Sequence, residues 1–449
     1  MLSPILEAIT VSLCLGFICI WVSRLLNRTL VSATTVFWVA WTGFLIAAWY
    51  SEWTELIPAI SERATQLVEL AEAGVAVGCL VGSFLAGRIA PSPQHFDAPV
   101  DRGISQRQLN LAMMVIAATG MAYLFETLSK TGWNIQTLLF DVRIQYVTEG
   151  LTPLGRFSEY FCELSLPLAI FLARRDAGSG IRIMPIVWLT LANSPNGFAT
   201  GGRGYLMTPL LYYTFAYLSA TRGKRKLGSV MKRFRMPARR AGFRIAIGMT
   251  AFAAVFTIIG EARWGATSDK PFYVRAIDTV VEYPSSAISS VYQYSDVYSD
   301  RGGNGRFIVE WPAVQLERFG VFSTDTRKDE DAARRDVMME YGSVNNCPPT
   351  IIPFLIGDFG QQLMPVYFAV IMAIAQFITV RPDIRGFFAH SVTAMALAGV
   401  FFTIQANMLF APSHCLGLMW AGLMMLYTRR HPVHRGQPQA APLRRVVRV

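Results

Sequence analysis

The chain has 449 residues, of which 53% are hydrophobic and only 16% are charged. This balance is more apolar than that of an ordinary soluble domain and indicates that a membrane is the solvent. The formal net charge is +11. The six cysteines include no CxxC pair and no His lies at metal-ligand spacing, so the sequence predicts neither a zinc site nor another metal or cofactor.

Eleven apolar runs recur along the chain, close to the length with which an α-helix crosses a bilayer. They lie at 4–22, 31–49, 67–87, 109–127, 159–173, 183–197, 205–220, 245–260, 364–380, 387–410 and 415–427. The first run contains Glu7 and follows no basic residue, unlike a cleaved signal peptide, so we expect it to remain as a helix. The predicted fold is an all-α integral membrane protein, with a polytopic domain over 1–427 and about 11 transmembrane helices.

Basic residues predict the orientation of these helices. Segment 222–244 holds ten of them and no acidic residue, and basic segments also follow the first run and form the tail 428–449. Such a field could attract nucleic acid, but a basic loop between spans is typical of the cytoplasmic side and of contact with anionic lipid. We therefore expect membrane lipids and no nucleic acid as partners, an external amino terminus and a cytoplasmic carboxyl terminus.

Two outer loops, 129–156 and 261–349, are long enough to carry function, and we expect short helices in both. Ionisable residues near the spans cluster toward the same outer side. They are Glu69, Glu72, Glu126, Glu159, Glu163, Arg203 and Asp358. Charges within a membrane are costly and often functional, although helix ends near headgroups also tolerate charge, and acids in a first turn suit the helix dipole.

The sequence FATGGRGY, at 198–205, lies between two predicted spans at the outer surface. Gly201 and Gly202 allow the backbone to pass close to a ligand. Arg203 then lies at the start of the next helix, where backbone N–H groups and a guanidinium together suit phosphate or diphosphate. The alternative is a tight turn whose Arg reaches lipid headgroups.

Two further segments carry candidate ligand-binding residues. The first outer loop offers Arg143, Tyr146 and Arg156, and Arg beside aromatic rings is a common way to hold sugars and phosphates. Segment 348–365 contains Asp358-Phe-Gly, which lacks the context of a kinase magnesium motif. The apolar stretch before Gly357 is too short to span, so we expect it to be re-entrant or interfacial.

These three features, in this order and on this side, resemble the Wzy-type oligosaccharide repeat unit polymerases of bacterial inner membranes. The resemblance covers about 110–380 and rests on the turn at Gly201-Gly-Arg203-Gly, the loop 140–157, and the elements Pro349-Thr350 and Asp358-Phe-Gly360. It implies a GT-C-like architecture with a periplasmic active site. His414 is the only outer His, which departs from the related O-antigen ligases.

The resemblance implies transfer of a growing glycan from polyprenyl diphosphate to a new lipid-linked repeat unit, without a metal ion and with a chain-length regulator as a further partner. Arg143, Arg203 and Arg318 would bind the diphosphate. Glu282, Asp296 and Glu310 are alternative bases for the acceptor hydroxyl. Tyr146, Gly201, Gly202 and Asp358 would bind substrate. The rival functions are a flippase or other transporter, a ligase-like glycosyltransferase and a non-catalytic scaffold.

Overall fold

All regular secondary structure in the described residues of the computed structural model is helical. The described residues are 3–27, 29, 31–88, 104–131, 142, 151–179, 183–200, 204–221, 257, 270–321, 326, 329, 332–333, 336–337, 350–380, 387–403 and 412–430. The helices, numbered in chain order, are α1 Pro4–Asn27, α2 Ala33–Trp53, α3 Glu62–Arg88, α4 Gln106–Thr131, α5 Pro153–Cys162, α6 Ser165–Ser179, α7 Ile183–Thr200, α8 Gly204–Thr221, α9 Phe272–Ser289, α10 Val291–Arg301, α11 Glu310–Arg318, α12 Ile351–Phe359, α13 Met364–Val380, α14 Phe387–Phe402 and α15 Pro412–Arg430.

Four of the described helices, α1 to α4, are long and apolar enough to cross a membrane. A fifth span results if α12 and α13 are counted together, although the chain bends by 120° between them. Two shorter apolar helices are α14, Phe387–Phe402, and the part of α15 at His414–Tyr427. The chain therefore has the helices of a multi-pass membrane protein.

Helices occur at ten of the eleven positions predicted from the apolar runs, and the eleventh run, 245–260, lies outside the described residues except at position 257. The run 159–173 differs from its prediction because it is divided between α5 and α6. Pro167 lacks the N–H group that would bond to the carbonyl of Glu163, which explains an interruption at this point. The stretch before Gly357 belongs to α12, a nine-residue helix that is too short to span a membrane alone.

The first bundle consists of α1, α2, α3 and α13, and its closest contact is between α3 and α13. Gly74, Gly78 and Gly82 recur every four residues on α3 and face the backbone of α13. A Cβ atom at Gly78 would lie 2.3 Å from the Ala369 carbonyl oxygen, and one at Gly74 would lie 2.3 Å from that of Pro365. Only glycine permits this approach, which is typical of helix pairs in membranes.

A buried glutamine joins the four helices of this bundle. The Gln376 amide nitrogen donates to the hydroxyl oxygens of Ser23, at 2.8 Å, and Ser83, at 2.9 Å. Its amide oxygen accepts the Thr34 N–H at 2.9 Å, at the start of α2. Because both N–H groups and the oxygen of this amide are hydrogen-bonded, Gln376 fixes the helices relative to one another.

The second bundle consists of α4, α6, α7, α8, α14 and α15, with its own apolar core. Helix α14 also packs against α2 and α13 and so connects the two bundles. At this junction the Trp41 indole N–H donates to the Thr403 hydroxyl at 3.1 Å, and the Phe44 and Phe401 rings lie 6.0 Å apart. The bundles therefore share a packed boundary.

Three helices, α9 to α11, lie within the segment 261–349, as expected of a loop with helices. Helix α9 packs along α2, and the Ser51 hydroxyl donates to that of Ser285 at 2.9 Å. Helix α10 packs against α12 and contacts α3. Much of the described part of this segment is thus held against the first bundle.

Candidate functional site

The candidate site lies where α10, the turn after it and α12 meet. Helix α10 ends at Arg301 and is capped by Gly302, whose φ of +58° is a left-handed conformation that glycine adopts without strain. The Gly303 N–H donates to the Gly357 carbonyl at 2.7 Å and joins the turn to α12. Gly-Gly-Asn-Gly and Asp-Phe-Gly, more than 50 residues apart in the chain, are therefore adjacent.

Asp358 holds this turn in place. One carboxylate oxygen accepts the Phe307 N–H at 3.1 Å, and the other accepts the Ile308 N–H at 2.7 Å. The side chain is buried and fits only because Gly303 has no side chain, since a Cβ atom there would lie 2.0 Å from Asp358 Oδ1. Both oxygens thus bind the protein's own backbone, and the substrate contact expected of Asp358 remains a prediction.

Aromatic rings of α10, the turn and α12 pack together and support the same turn. The buried Tyr298 ring lies between Phe307 and Phe354, with 5.0 Å between ring centroids on each side and edge-on geometry. Such aromatic pairs stabilise a fold by more than the burial of their apolar area. Arg306 completes the support, because its Nε–H donates to the Gly303 carbonyl at 3.2 Å and its guanidinium pairs with Asp329 at 2.8 Å.

Asp296 and Arg63 form an ion pair on the accessible side of this assembly. Their nearest atoms are 3.0 Å apart, and their side chains are 32% and 55% exposed, respectively. The guanidinium also lies over the Tyr292 ring, 4.7 Å from its centroid. The structure thus places one predicted base, Asp296, beside a cation and an aromatic face that could contact a sugar or a phosphate.

Arg63 is the residue of this group that sequence reasoning missed. It lies in the first turn of α3, and 233 residues separate it from Asp296. An Arg at the start of an apolar helix is common near headgroups. Only the packing of α10 against α3 distinguishes it, so no local sequence signal could have found it.

For the other predicted site residues the structure shows at most a position on a helix. Glu282 lies on α9, away from the ends of that helix, and Glu310 and Arg318 are the first and last residues of α11. Arg143, Tyr146, Gly201, Gly202 and Arg203 lie outside the described residues. The structure therefore joins Asp296 and Asp358 through α10 and its turn, and the roles of the others remain predictions.

A second polar region flanks the Gly-Gly-Arg segment. Tyr205, the second residue of α8, has its hydroxyl 3.4 Å from Glu159 Oε1 on α5. Deeper between the helices, the Ser158 hydroxyl donates to the Asn196 amide oxygen at 2.7 Å, and Glu163 is 6% exposed. Polar side chains of α5, α7 and α8, with the carboxyl group of Glu159, therefore lie near the described residues that flank positions 201–203.

Helix α15 connects the two regions. The Trp420 indole N–H donates to the Tyr160 carbonyl of α5 at 2.7 Å, while α11, in the segment 261–349, contacts α15. Among the described residues no group of three or more His, Cys, Asp or Glu side chains is placed to hold a metal ion. No family model, curated protein or solved structure matches the chain.

Proposed function

We propose that the protein is a membrane glycosyltransferase of GT-C-like architecture that polymerises lipid-linked oligosaccharide repeat units. In this proposal the chain has about eleven spans in a bacterial inner membrane, with a periplasmic amino terminus and a cytoplasmic carboxyl terminus. The observation that carries it is the assembly of α10, its glycine turn and α12 beside α3. That assembly fixes Asp296, Arg63 and Tyr292 at an accessible surface next to an apolar helical bundle.

The reaction requires an acceptor hydroxyl oxygen to attack the anomeric carbon of the donor glycan. The bond from that carbon to the diphosphate oxygen breaks, and the diphosphate leaves with the electron pair. A carboxylate takes the hydroxyl proton. Asp296 is the candidate base with the best-defined surroundings, and Glu282 and Glu310 are its alternatives.

Cations would stabilise the negative charge that develops on the leaving diphosphate. Arg203, Arg143 and Arg318 are the proposed residues for this role, with Tyr146, Gly201, Gly202 and Asp358 contacting or shaping the substrate site. Arg63 is an additional candidate because its side chain is 55% exposed and its guanidinium is already held beside Asp296. The polyprenyl-diphosphate-linked oligosaccharide is the proposed substrate, with a chain-length regulator as a further partner.

Transport of a lipid-linked oligosaccharide is the second candidate. The observation that favours it is Glu72, a fully buried carboxyl group on α3, because polar groups deep in a bundle are typical of transport pathways. A transporter would move the lipid-linked unit between leaflets and leave its length unchanged. A polymerase would lengthen the glycan.

Arg63→Ala in cells tests the role of the exposed ion pair. We expect shortened polysaccharide with a near-normal amount of protein in the membrane, because an exposed ion pair contributes only about 0–1 kcal/mol to stability. Lys270→Ala is the matched control, since Lys270 pairs with Asp278 at 2.9 Å in the same outer segment. Full-length polysaccharide in the Arg63 variant, equal to that of the control, would remove Arg63 from the site.

A further inference from the structure

Glu72 presents a carboxyl group inside the first bundle that the proposed reaction does not use. It lies ten residues into α3 and is 0% exposed. Neither oxygen has a hydrogen-bond partner in the part of the chain that the structure describes. The buried Ser12 hydroxyl of α1 lies beside it, and that hydroxyl is 2.9 Å from the Thr42 hydroxyl of α2. Ser12 therefore lies between Glu72 of α3 and Thr42 of α2, and oxygen-bearing side chains of three helices are neighbours in this order.

The helices around Glu72 supply no compensating positive charge nearby. Along α3, Arg63 is nine residues away and Arg88 is sixteen, which correspond to about 13 Å and about 24 Å of helix. Arg63 is also paired with Asp296. On α1, Arg24 lies twelve residues beyond Ser12, about 18 Å along the axis. Helix α13 has no charged residue.

The remaining charges on the helices in contact with α1 or α3 are mostly negative. They are Glu7 on α1, Glu52 on α2, Glu62 and Glu69 on α3, Asp296, Asp300 and Arg301 on α10, and Asp358 on α12. Arg301 pairs with Asp336, and Asp358 binds the backbone of its own turn. Glu69 lies one turn from Glu72 and near Glu7. An ionised carboxylate without a partner is costly in such a place.

We propose that Glu72, Ser12 and Thr42 form an intramembrane binding site for a small monovalent cation, H⁺ or Na⁺. The three side chains offer only oxygen atoms, which are the ligands that hard cations prefer. A single charge neutralises the single carboxylate, and the closely packed surroundings favour a small ion. Glu69 extends a negative potential from this point toward the amino-terminal end of α3, a direction from which a cation would be attracted.

The test is thermal unfolding of the purified full-length protein in detergent, over a series of Na⁺ concentrations at fixed ionic strength and then over a series of pH values. If Na⁺ is the ligand, the unfolding midpoint rises with Na⁺ at fixed pH. If H⁺ is the ligand, the unfolding midpoint does not change with the Na⁺ concentration and rises as the pH falls. In either case Glu72→Gln loses the response, because the amide is neutral without a ligand. Glu7→Gln, which changes an exposed glutamate on α1, keeps it.

Two results would overturn the proposal: a wild-type midpoint that responds to neither ion, or a response that Glu72→Gln retains in full. Should Glu72→Gln fail to fold, Ser12→Ala provides the test, because it retains the carboxylate and removes one oxygen. If Na⁺ is the ligand, we expect its half-maximal concentration to rise about tenfold, because the ion loses one oxygen ligand. If H⁺ is the ligand, we expect the response to move to higher pH, because the ionised carboxylate loses a neighbouring hydroxyl that favours it. Unchanged curves in Ser12→Ala would contradict the site. These measurements do not depend on whether the protein polymerises glycans.

Discussion

Asp358 shows how one side chain sets the shape of the candidate site. Its two oxygens bind two successive backbone N–H groups of the turn that follows α10, and a glycine leaves the space for it. A carboxylate is well suited to this role because both of its oxygens are acceptors. The position of Asp296 beside Arg63 depends on this turn, since α10, which carries Asp296, leads directly into it.

We expect Asp358→Asn to destabilise the turn by about 1–3 kcal/mol, because the amide NH₂ group then faces a buried backbone N–H with no acceptor. Limited proteolysis within 302–309 should become faster, and the midpoint of thermal unfolding should fall. Asp300→Asn, at an exposed position near the end of α10, should leave both measurements unchanged. Equal proteolysis of the two variants would show that Asp358 does not hold the turn.

Sequence reasoning reached some residues of the site and missed others for a physical reason. Asp358 was selected through its Asp-Phe-Gly element, and Asp296 was one of three carboxylates in the segment 261–349 that could serve as the base. The pairing of Asp296 with Arg63 depends on the contact between α10 and α3, which no local pattern encodes. No local pattern encodes the hydrogen bonds that Asp358 accepts from the Phe307 and Ile308 N–H groups either.

At the scale of helices, the glycine repeat on α3 determines how closely two spans approach. Gly74, Gly78 and Gly82 face Pro365, Ala369 and Ala373, so small or compact residues occupy both sides of the contact. In a bilayer, helix association depends on close packing and polar contacts more than on apolar burial. Gln376 adds the polar contribution on α13.

Gly78→Ala should strongly destabilise the first bundle, because a Cβ atom would lie 2.3 Å from the Ala369 carbonyl oxygen and would push α3 away from α13. Gly43→Ala is a matched control on α2, where a Cβ atom meets nothing within 4 Å. That change should be neutral, or stabilising by up to about 1 kcal/mol, since Ala favours helix over Gly. Thermal unfolding in detergent measures both. Similar midpoints for the two variants would contradict the close contact.

The helices themselves were largely predictable, because apolar runs of spanning length have few other stable conformations in a membrane. The residues at which the helices begin and end were less predictable. The division between α5 and α6 depends on Pro167, which a count of apolar residues ignores. The repeat Gly74-x₃-Gly78-x₃-Gly82 is a helix-packing pattern that is visible in the sequence, and it could have predicted the close contact of α3.

At the scale of the whole molecule, charge predicts how the chain lies in the membrane. A reporter fused after Gly228, within the basic segment 222–244, should be cytoplasmic, and one fused near Gly303 should be external. The reason is that Lys and Arg in short loops are retained on the cytoplasmic side. The reverse pattern would place the candidate site on the wrong side for a periplasmic reaction.

The most direct test of the proposed function is polymerisation by the purified protein. The protein in detergent is incubated with a synthetic lipid-diphosphate-linked repeat unit, with and without a chelator, and the products are separated on a gel. We predict a ladder spaced by one repeat unit that is insensitive to the chelator and absent in Arg203→Ala. An intact lipid substrate and no ladder, with wild-type protein shown to be folded, would contradict the proposal and favour a transporter or a scaffold.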